Sequence, residues 1–179
     1  MADDGTHGPS RYFRPVDPIR TARPGELALL PPLEAASDTL FQSLGIGPLP
    51  DPGTEAQLAA ALVVLVAADP PQGFARIDAL AGGGAHAHLE QLSVHPDHGR
   101  RGIGRALLRA AVDWAAVHGY SELTLATYRD VPWNGPFYAS EGFVEQGPVD
   151  DWYAARGLAP EEPVMGRFGV RVLMARPLP

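Results

Sequence analysis

The passage from residue 86 to residue 116 constrains this chain most. An alternating run, HAHLEQLSV, leads into HPDHGRRGIGR, with three glycines and three arginines, and then into ALLRAAVDWAA. Glycine costs roughly 1 kcal/mol relative to alanine inside a helix, so this density marks a turn that uses its backbone freedom. Gly104, Leu107, Leu108, Ala111, Val112 and Ala115 then recur on one helical face, which needs a sheet to cover it. Arg105, Arg109 and Asp113 fall on the opposite face, and His118-Gly119 supplies a basic last turn with a glycine stop. A strand, a turn and an amphipathic helix in that order commit the chain to layered α/β structure.

The flanking sequence extends this layout. Residues 1–15 are polar and contain Gly and Pro, a flexible lead, and residues 16–179 are read as one domain. Glu26 to Leu44 carries leucines at mostly helical spacing, interrupted by Pro31-Pro32, which predicts two helices or a kink. Residues 46–54 read as a loop and Gln57–Ala68, with its LVVLVA core, as a buried strand. Phe74–Leu80 is a second strand after a DPPQG hairpin turn, and Gly82–Gly84 turns the chain into the strand His86–Val94. Leu123–Thr127 and Val170–Ala175 complete the strands, with a short helix at Pro136–Ser140 and an exit at Gly142-Phe143.

Composition removes several chemistries. The chain of 179 residues has no cysteine, which excludes disulfides, thiolate metal sites and a cysteine nucleophile. It has no lysine either, so Schiff-base chemistry and a phosphate-loop lysine are absent. A formal charge of −7 argues against nucleic acid or an anionic membrane as partner. No signal peptide and no bilayer-spanning run is read, so the expected compartment is the cytoplasm.

The glycine-arginine turn has a direct chemical use. A helix start exposes unpaired N–H groups and the positive end of a dipole, which together bind phosphate oxygens. Gly99, Gly102 and Gly104 let the backbone approach a diphosphate, and Arg100, Arg101 and Arg105 add charged donors. The same features equally suit a strand-to-helix turn with solvated arginines. The glycine order is not the dinucleotide fingerprint, so NAD and ATP are not implied.

"LEQLSVHPDHGRRGIGRALL" followed by "FYASEGF" resembles the GNAT superfamily of acetyl-CoA-dependent N-acyltransferases. That family places Q/R-x-x-G-x-G/A at the turn, after a strand ending V-x-P. Gly102 and Gly104 match its two glycine positions. Gly99 stands where Q or R is expected, although Arg101 to Ala106 satisfies the pattern shifted by two. The likeness is close over 89–143 and looser for "IRTARPGELALL".

The resemblance implies a mixed, mostly antiparallel α/β (α+β) sheet, splayed around the coenzyme A site with helices on both faces. It places the diphosphate on residues 99–105, Ile103 included. The pantetheine arm would run beside Leu92, Ser93 and Val94 like an added strand. An N–H near Leu92 would hold the oxyanion. Tyr138 takes the family's position for the proton donor to the departing sulfur, with an aromatic core role as the alternative. Glu90 takes the position of the general base, with a surface carboxylate as the alternative. His86 and His88 lie close enough to be secondary bases. Asn134 would cap the short helix or bond the pantetheine amides. His95 and His98 lack a third ligand, and no metal is expected.

The activity so implied is acetyl transfer from acetyl-CoA to a primary amine, most simply of a small molecule, by direct attack in a ternary complex. Without cysteine, an acetyl-cysteine intermediate is excluded. A protein or peptide acceptor, or acyl-CoA binding without turnover, are the competing readings, and the chain is expected to be a monomer or homodimer. The resemblance implies an acceptor pocket lined by the first helical region and by the loop between the last two strands, roughly 146–169, where Asp150, Asp151, Trp152, Tyr153, Glu161 and Glu162 would suit a cation or simply a solvated acidic surface.

Overall fold

The computed structural model describes residues 17–79, 86–154 and 163–179. The lead at 1–15, the turn at Gly82–Gly84, Glu161, Glu162 and the Trp152 side chain lie outside the described residues. Seven strands form one sheet: β1 (Ile19–Thr21), β2 (Val63–Ala67), β3 (Gly73–Ala79), β4 (His86–Val94), β5 (Glu122–Tyr128), β6 (Val144–Pro148) and β7 (Arg171–Pro177). Their order is β1-β2-β3-β4-β5-β7-β6, with every neighbouring pair antiparallel except β4 and β5.

Parallel neighbours require a crossover, and α3 (Ile103–Val117) supplies it. Its buried face is Ile103, Leu107, Leu108, Ala111, Val112 and Ala115, packed with Ile77, Ala87, Leu89 and Leu125 of the sheet. Burying each leucine contributes about 1.5–3 kcal/mol. Gly119, at φ +79°, ends the helix as its sequence position predicts.

The other face is covered by α1 (Leu30–Gln42) and α2 (Glu55–Ala60), whose Leu30, Leu33 and Leu58 meet Val64, Val66 and Phe74. The segment expected to be broken by Pro31-Pro32 is a 3-10 turn over Pro24–Leu29 running into α1. The prolines sit in the first turn of α1, where a missing N–H costs nothing.

One expected element is wrong. Gln57–Ala68 is not a continuous strand; its first third is α2, and only Val63–Ala67 is β2. Thr54 accepts from Gln57 N–H while the Gln57 side chain returns a bond to the Thr54 N–H, a capping box that starts a helix. The EAQLAA segment then favours helix by propensity, and the β-branched run begins only at Val63. The expected loop at 146–169 likewise holds structure: the end of β6, then α5 (Val149–Ala154) and α6 (Pro163–Gly166).

Candidate active site

The site opens where β4 and β5 separate. Their parallel pairing covers only His86 with Glu122, Ala87 with Leu123 and His88 with Thr124. Past His88, β4 continues against β3 alone, leaving its other flank without a strand partner among the described residues. The β3–β4 register slips at the same place: Arg76 faces Gln91 and Ile77 faces Leu89, so Glu90 is the extra residue of a bulge. Bulges re-aim side chains and sharpen local twist.

A cavity of about 1400 Å³ occupies the gap, floored by Leu89–Leu92 and Val94 of β4 and by Ala126–Tyr128 of β5. At one end the chain leaves β4 through a 3-10 turn at Pro96–His98. It then bends through left-handed conformations at Arg100 (φ +56°) and Gly102 (φ +84°) before α3 begins. Gly102 occupies the N-cap position and has no side chain to cap with, so the first N–H groups of α3 are left for a ligand. The whole stretch from Gly99 to Arg105 lines the cavity.

Tyr138 and Asn134 enter from α4 (Gly135–Ser140) and the residue before it. Gly135 is obligatory there, since a Cβ would lie 2.1 Å from the Arg129 carbonyl oxygen. The Tyr138 ring packs on Phe137 and, edge-on, on Phe143. Burial pushes its phenol above the ordinary value, with the Arg171 charge pulling the other way, so the hydroxyl keeps its proton at neutral pH. Glu141, at the end of α4, receives Arg105 at 2.6 Å and Arg109 at 2.8 Å from α3. That clamp fixes the helix carrying Tyr138 to the helix carrying the glycine turn.

Opposite the turn, α1 contributes Glu34 and Asp38, one helical turn apart, together with Phe41. Burial, then Asp38, pushes the Glu34 carboxyl up to about 7, while the Gly53 N–H and Arg76 oppose the rise. Burial pushes Asp38 up to about 6. Phe41 packs against Tyr128 and Trp133 at ring centroid distances of 6.0 and 5.9 Å. Arg171, from β7, stands over the Tyr128 ring at 4.9 Å.

A family model described as "Acetyltransferase (GNAT) family" matches residues 36–143. The chain belongs to the GNAT acetyltransferase family. Among solved structures it is similar to the PaiA N-acetyltransferase of Thermoplasma acidophilum in complex with coenzyme A, with a TM-score of 0.67 at 18% identity over 92% of this chain and 99% of that one. It is also similar to the ribosomal-protein-S18-alanine N-acetyltransferase of Escherichia coli, with a TM-score of 0.61 at 20% identity over 90% and 93% of the two chains. At these identities the likeness establishes the fold. N-acetyltransferase family 8 member 3 of Rattus norvegicus is 41% identical over 59 residues, 33% of this chain and 26% of that protein. The match thus spans about a quarter of that relative's length.

This GNAT chain brings nearly all the sequence-predicted site residues to one cavity: Glu90, Leu92, Val94, the turn 99–105, Asn134 and Tyr138. Ser93 does not line it; its side chain is buried and accepts from Gln91 at 2.8 Å. Arg105 reaches the cavity but spends its Nε on Glu141. Asn134 holds the N-cap position without a capping bond from its side chain. His86 Nδ1 lies 3.5 Å from Glu122 Oε1 without hydrogen-bonding to it, whereas His88 is buried beside Glu90. Of the predicted acceptor residues in the 146–169 segment that are described, Tyr153 lines the cavity and Asp150 and Asp151 do not; the first helical region, expected at the acceptor pocket, contributes the carboxylates Glu34 and Asp38. Glu34, Asp38, Trp133 and Arg171 were not anticipated. A Glu and an Asp at i, i+4 in LPPLEAASD was the available signal for the first two. No group of His, Asp and Glu suited to a metal occurs among the described residues, and no described helix is long and apolar enough to cross a membrane.

Proposed function

We propose that this GNAT protein transfers an acetyl group from acetyl-CoA directly to the primary amine of a small cationic molecule. The carrying observation is convergence: an uncapped helix start, an open strand flank, a protonated phenol and a carboxylate all border one cavity. Bound acetyl-CoA supplies the thioester. The N–H groups at the start of α3 and the nearby arginines suit its diphosphate, and the free flank of β4 suits its pantetheine arm.

Glu90 takes a proton from the ammonium so that nitrogen can attack the acetyl carbon. An N–H near Leu92 receives the negative charge that grows on the carbonyl oxygen. Tyr138 donates its hydroxyl proton toward sulfur as the carbon–sulfur bond breaks. The high position of this phenol makes hydrogen-bond donation its first role, with transfer completed as charge builds on sulfur and Arg171 steadies the phenolate.

The acceptor half supports a cationic amine. Glu34, Asp38 and Glu90 supply negative charge, and Phe41, Tyr128 and Trp133 supply aromatic surface in the same cavity. A release assay for free thiol over a panel of monoamines, diamines, amino acids and peptides, run beside calorimetric titration with acetyl-CoA, tests this. Turnover on peptides with none on small amines would establish the protein-acceptor reading. Acetyl-CoA binding without turnover on any amine would establish a binding module.

A further inference from the structure

We infer that His88 is a positioning residue for Glu90, holding an unprotonated Nε2 toward the carboxyl group so that it accepts a hydrogen bond from Glu90 once that carboxyl has taken the proton of the amine. The inference rests on the proposed role of Glu90 as base. The Thr124 hydroxyl lies between the Ala87 carbonyl oxygen, at 3.2 Å, and His88 Nδ1, at 2.8 Å. It has one proton. The carbonyl can only accept; where Thr124 donates to it, Nδ1 carries the hydrogen and donates to the Thr124 oxygen, and this tautomer is part of the inference. The ring is neutral in this setting, because its burial, reinforced by Arg171, pushes it down to about 4. In that tautomer Nε2 carries a lone pair, 3.8 Å from Glu90 Oε2.

A lone pair at that distance discriminates between the two states of Glu90. It repels a carboxylate and welcomes a carboxylic acid, whose O–H can close the gap by a small rotation of the half-exposed Glu90 side chain. In the step, the ammonium N–H bond breaks, an O–H bond forms on Glu90, and that O–H donates a hydrogen bond to Nε2. No proton is transferred to the imidazole. Charged groups bearing on this pair include Arg171 of β7, which acts on His88, and Glu34 of α1, which acts electrostatically with Glu90. Thr124 of β5 is neutral and fixes the ring. The bulge at Glu90 makes the meeting possible by shifting that residue relative to the β3 register.

The test compares His88→Asn, whose amide can replace Nδ1–H toward Thr124 but has nothing at Nε2, with His88→Gln, whose amide oxygen can stand near Nε2. In His88→Asn the acid limb of the kcat/KM profile should move down by about half a pH unit or more, with plateau kcat falling several-fold. His88→Gln should recover part of both, and in a Glu90→Gln background His88→Asn should add nothing. An acid limb that stays in place in His88→Asn, with only KM or melting temperature altered, overturns the inference. Nitrogen-15 shifts of the wild-type ring give a readout independent of turnover and of whether His88→Asn folds. An Nδ1–H tautomer supports the inference, and an Nε2–H tautomer overturns it. If no amine is acetylated by the wild type, the Glu90 carboxyl carbon titrated by NMR in wild type and variant still reports whether His88 acts on it, so failure of the enzymatic reading is separable.

Discussion

Replacing Glu34 by glutamine separates a binding residue from a structural one, because its effects on stability and on affinity should have opposite signs. Burial raises this carboxyl from its ordinary 4.5 to about 7, so the folded protein holds the proton more tightly than the unfolded chain does. Stability contributed by the protonated group is complete below about 4.5 and is lost as pH rises through 7. At about 1.36 kcal/mol for each tenfold in acidity the full displacement amounts to about 3.4 kcal/mol, which partial exposure of the half-buried side chain reduces to about 1–2 kcal/mol. Glutamine keeps an oxygen for the Gly53 N–H, bonded at 3.4 Å, and carries no charge to desolvate. Glu34→Gln should therefore melt higher than wild type at pH 8, by about 3–6 °C for a chain of this size. The difference should vanish near pH 5. The same variant should raise KM for a cationic amine at pH 8 several-fold. Paired thermal melts at the two pH values, with KM measured at the upper one, decide the matter. A variant that melts lower at pH 8, or that differs equally at both pH values, refutes the assignment of a buried, desolvated carboxylate.

Other expectations follow from the same geometry. Tyr138→Phe should cut kcat about a hundredfold or more while leaving acetyl-CoA affinity nearly unchanged by calorimetry; preserved turnover would make the tyrosine a packing residue. Gly104→Val should weaken acetyl-CoA binding about tenfold or more, roughly 1.4 kcal/mol, because a Cβ there meets only Val94 Cγ2 at 3.6 Å and the fold accommodates it. Gly102 is the poorer test, since its φ of +84° would strain any larger residue whether or not a ligand binds. The KM for a cationic amine should fall as pH rises from 5 to 8, since Asp38 and Glu34 ionise near 6 and 7 and attract the cation only then; a KM that rises over this range would count against them. Thr54→Ala should cost about 1 kcal/mol by removing the N-cap of α2, seen as a fall of a few degrees in melting temperature, and an unchanged melt would deny that the cap matters.

Particular residues show why some of this could be read in the sequence and some could not. The buried face of α3 repeats at a helical period over four turns, and its glycine-rich entry has no role in a plain helix, so both were legible. Gln57–Ala68 failed because LVVLVA dominated a window that begins with a capping box, T-x-x-Q at 54–57, whose partners were plain in the sequence. The edge strand β6 is largely exposed and interrupted by Gly147, so it has no apolar alternation to betray it. Glu34 and Asp38 were not singled out: the resemblance placed the first helical region at the acceptor pocket, but nothing local says which of its side chains lie over the gap between β4 and β5. Arg171 was hidden for the same reason: its place at the site comes from β7 pairing with β5, a contact between distant parts of the chain.

The position of the site follows from the single parallel pair in the sheet. Because β4 and β5 run the same way, the chain must leave the end of β4, cross by α3 and return to the start of β5. The turn that begins the crossover therefore lies at the end of β4, where the two strands have already parted after three paired residues. Helix donors for a diphosphate, an open strand edge for an extended arm and the bulged Glu90 consequently arise within 16 residues, from 90 to 105. The segment after β5 leaves from the same end of the sheet, which brings Asn134 and Tyr138 back to that opening. Local sequence can specify this half, because one strand, one turn and two helix starts suffice to build it. The proposed acceptor half also draws on Glu34, Asp38 and Phe41 of α1 and Arg171 of β7, elements not adjacent in the chain to β4 or α3. The carboxylates Glu34 and Asp38 are therefore where this chain's choice of amine should be altered by substitution, with Tyr138 and the turn at 99–105 left as they are.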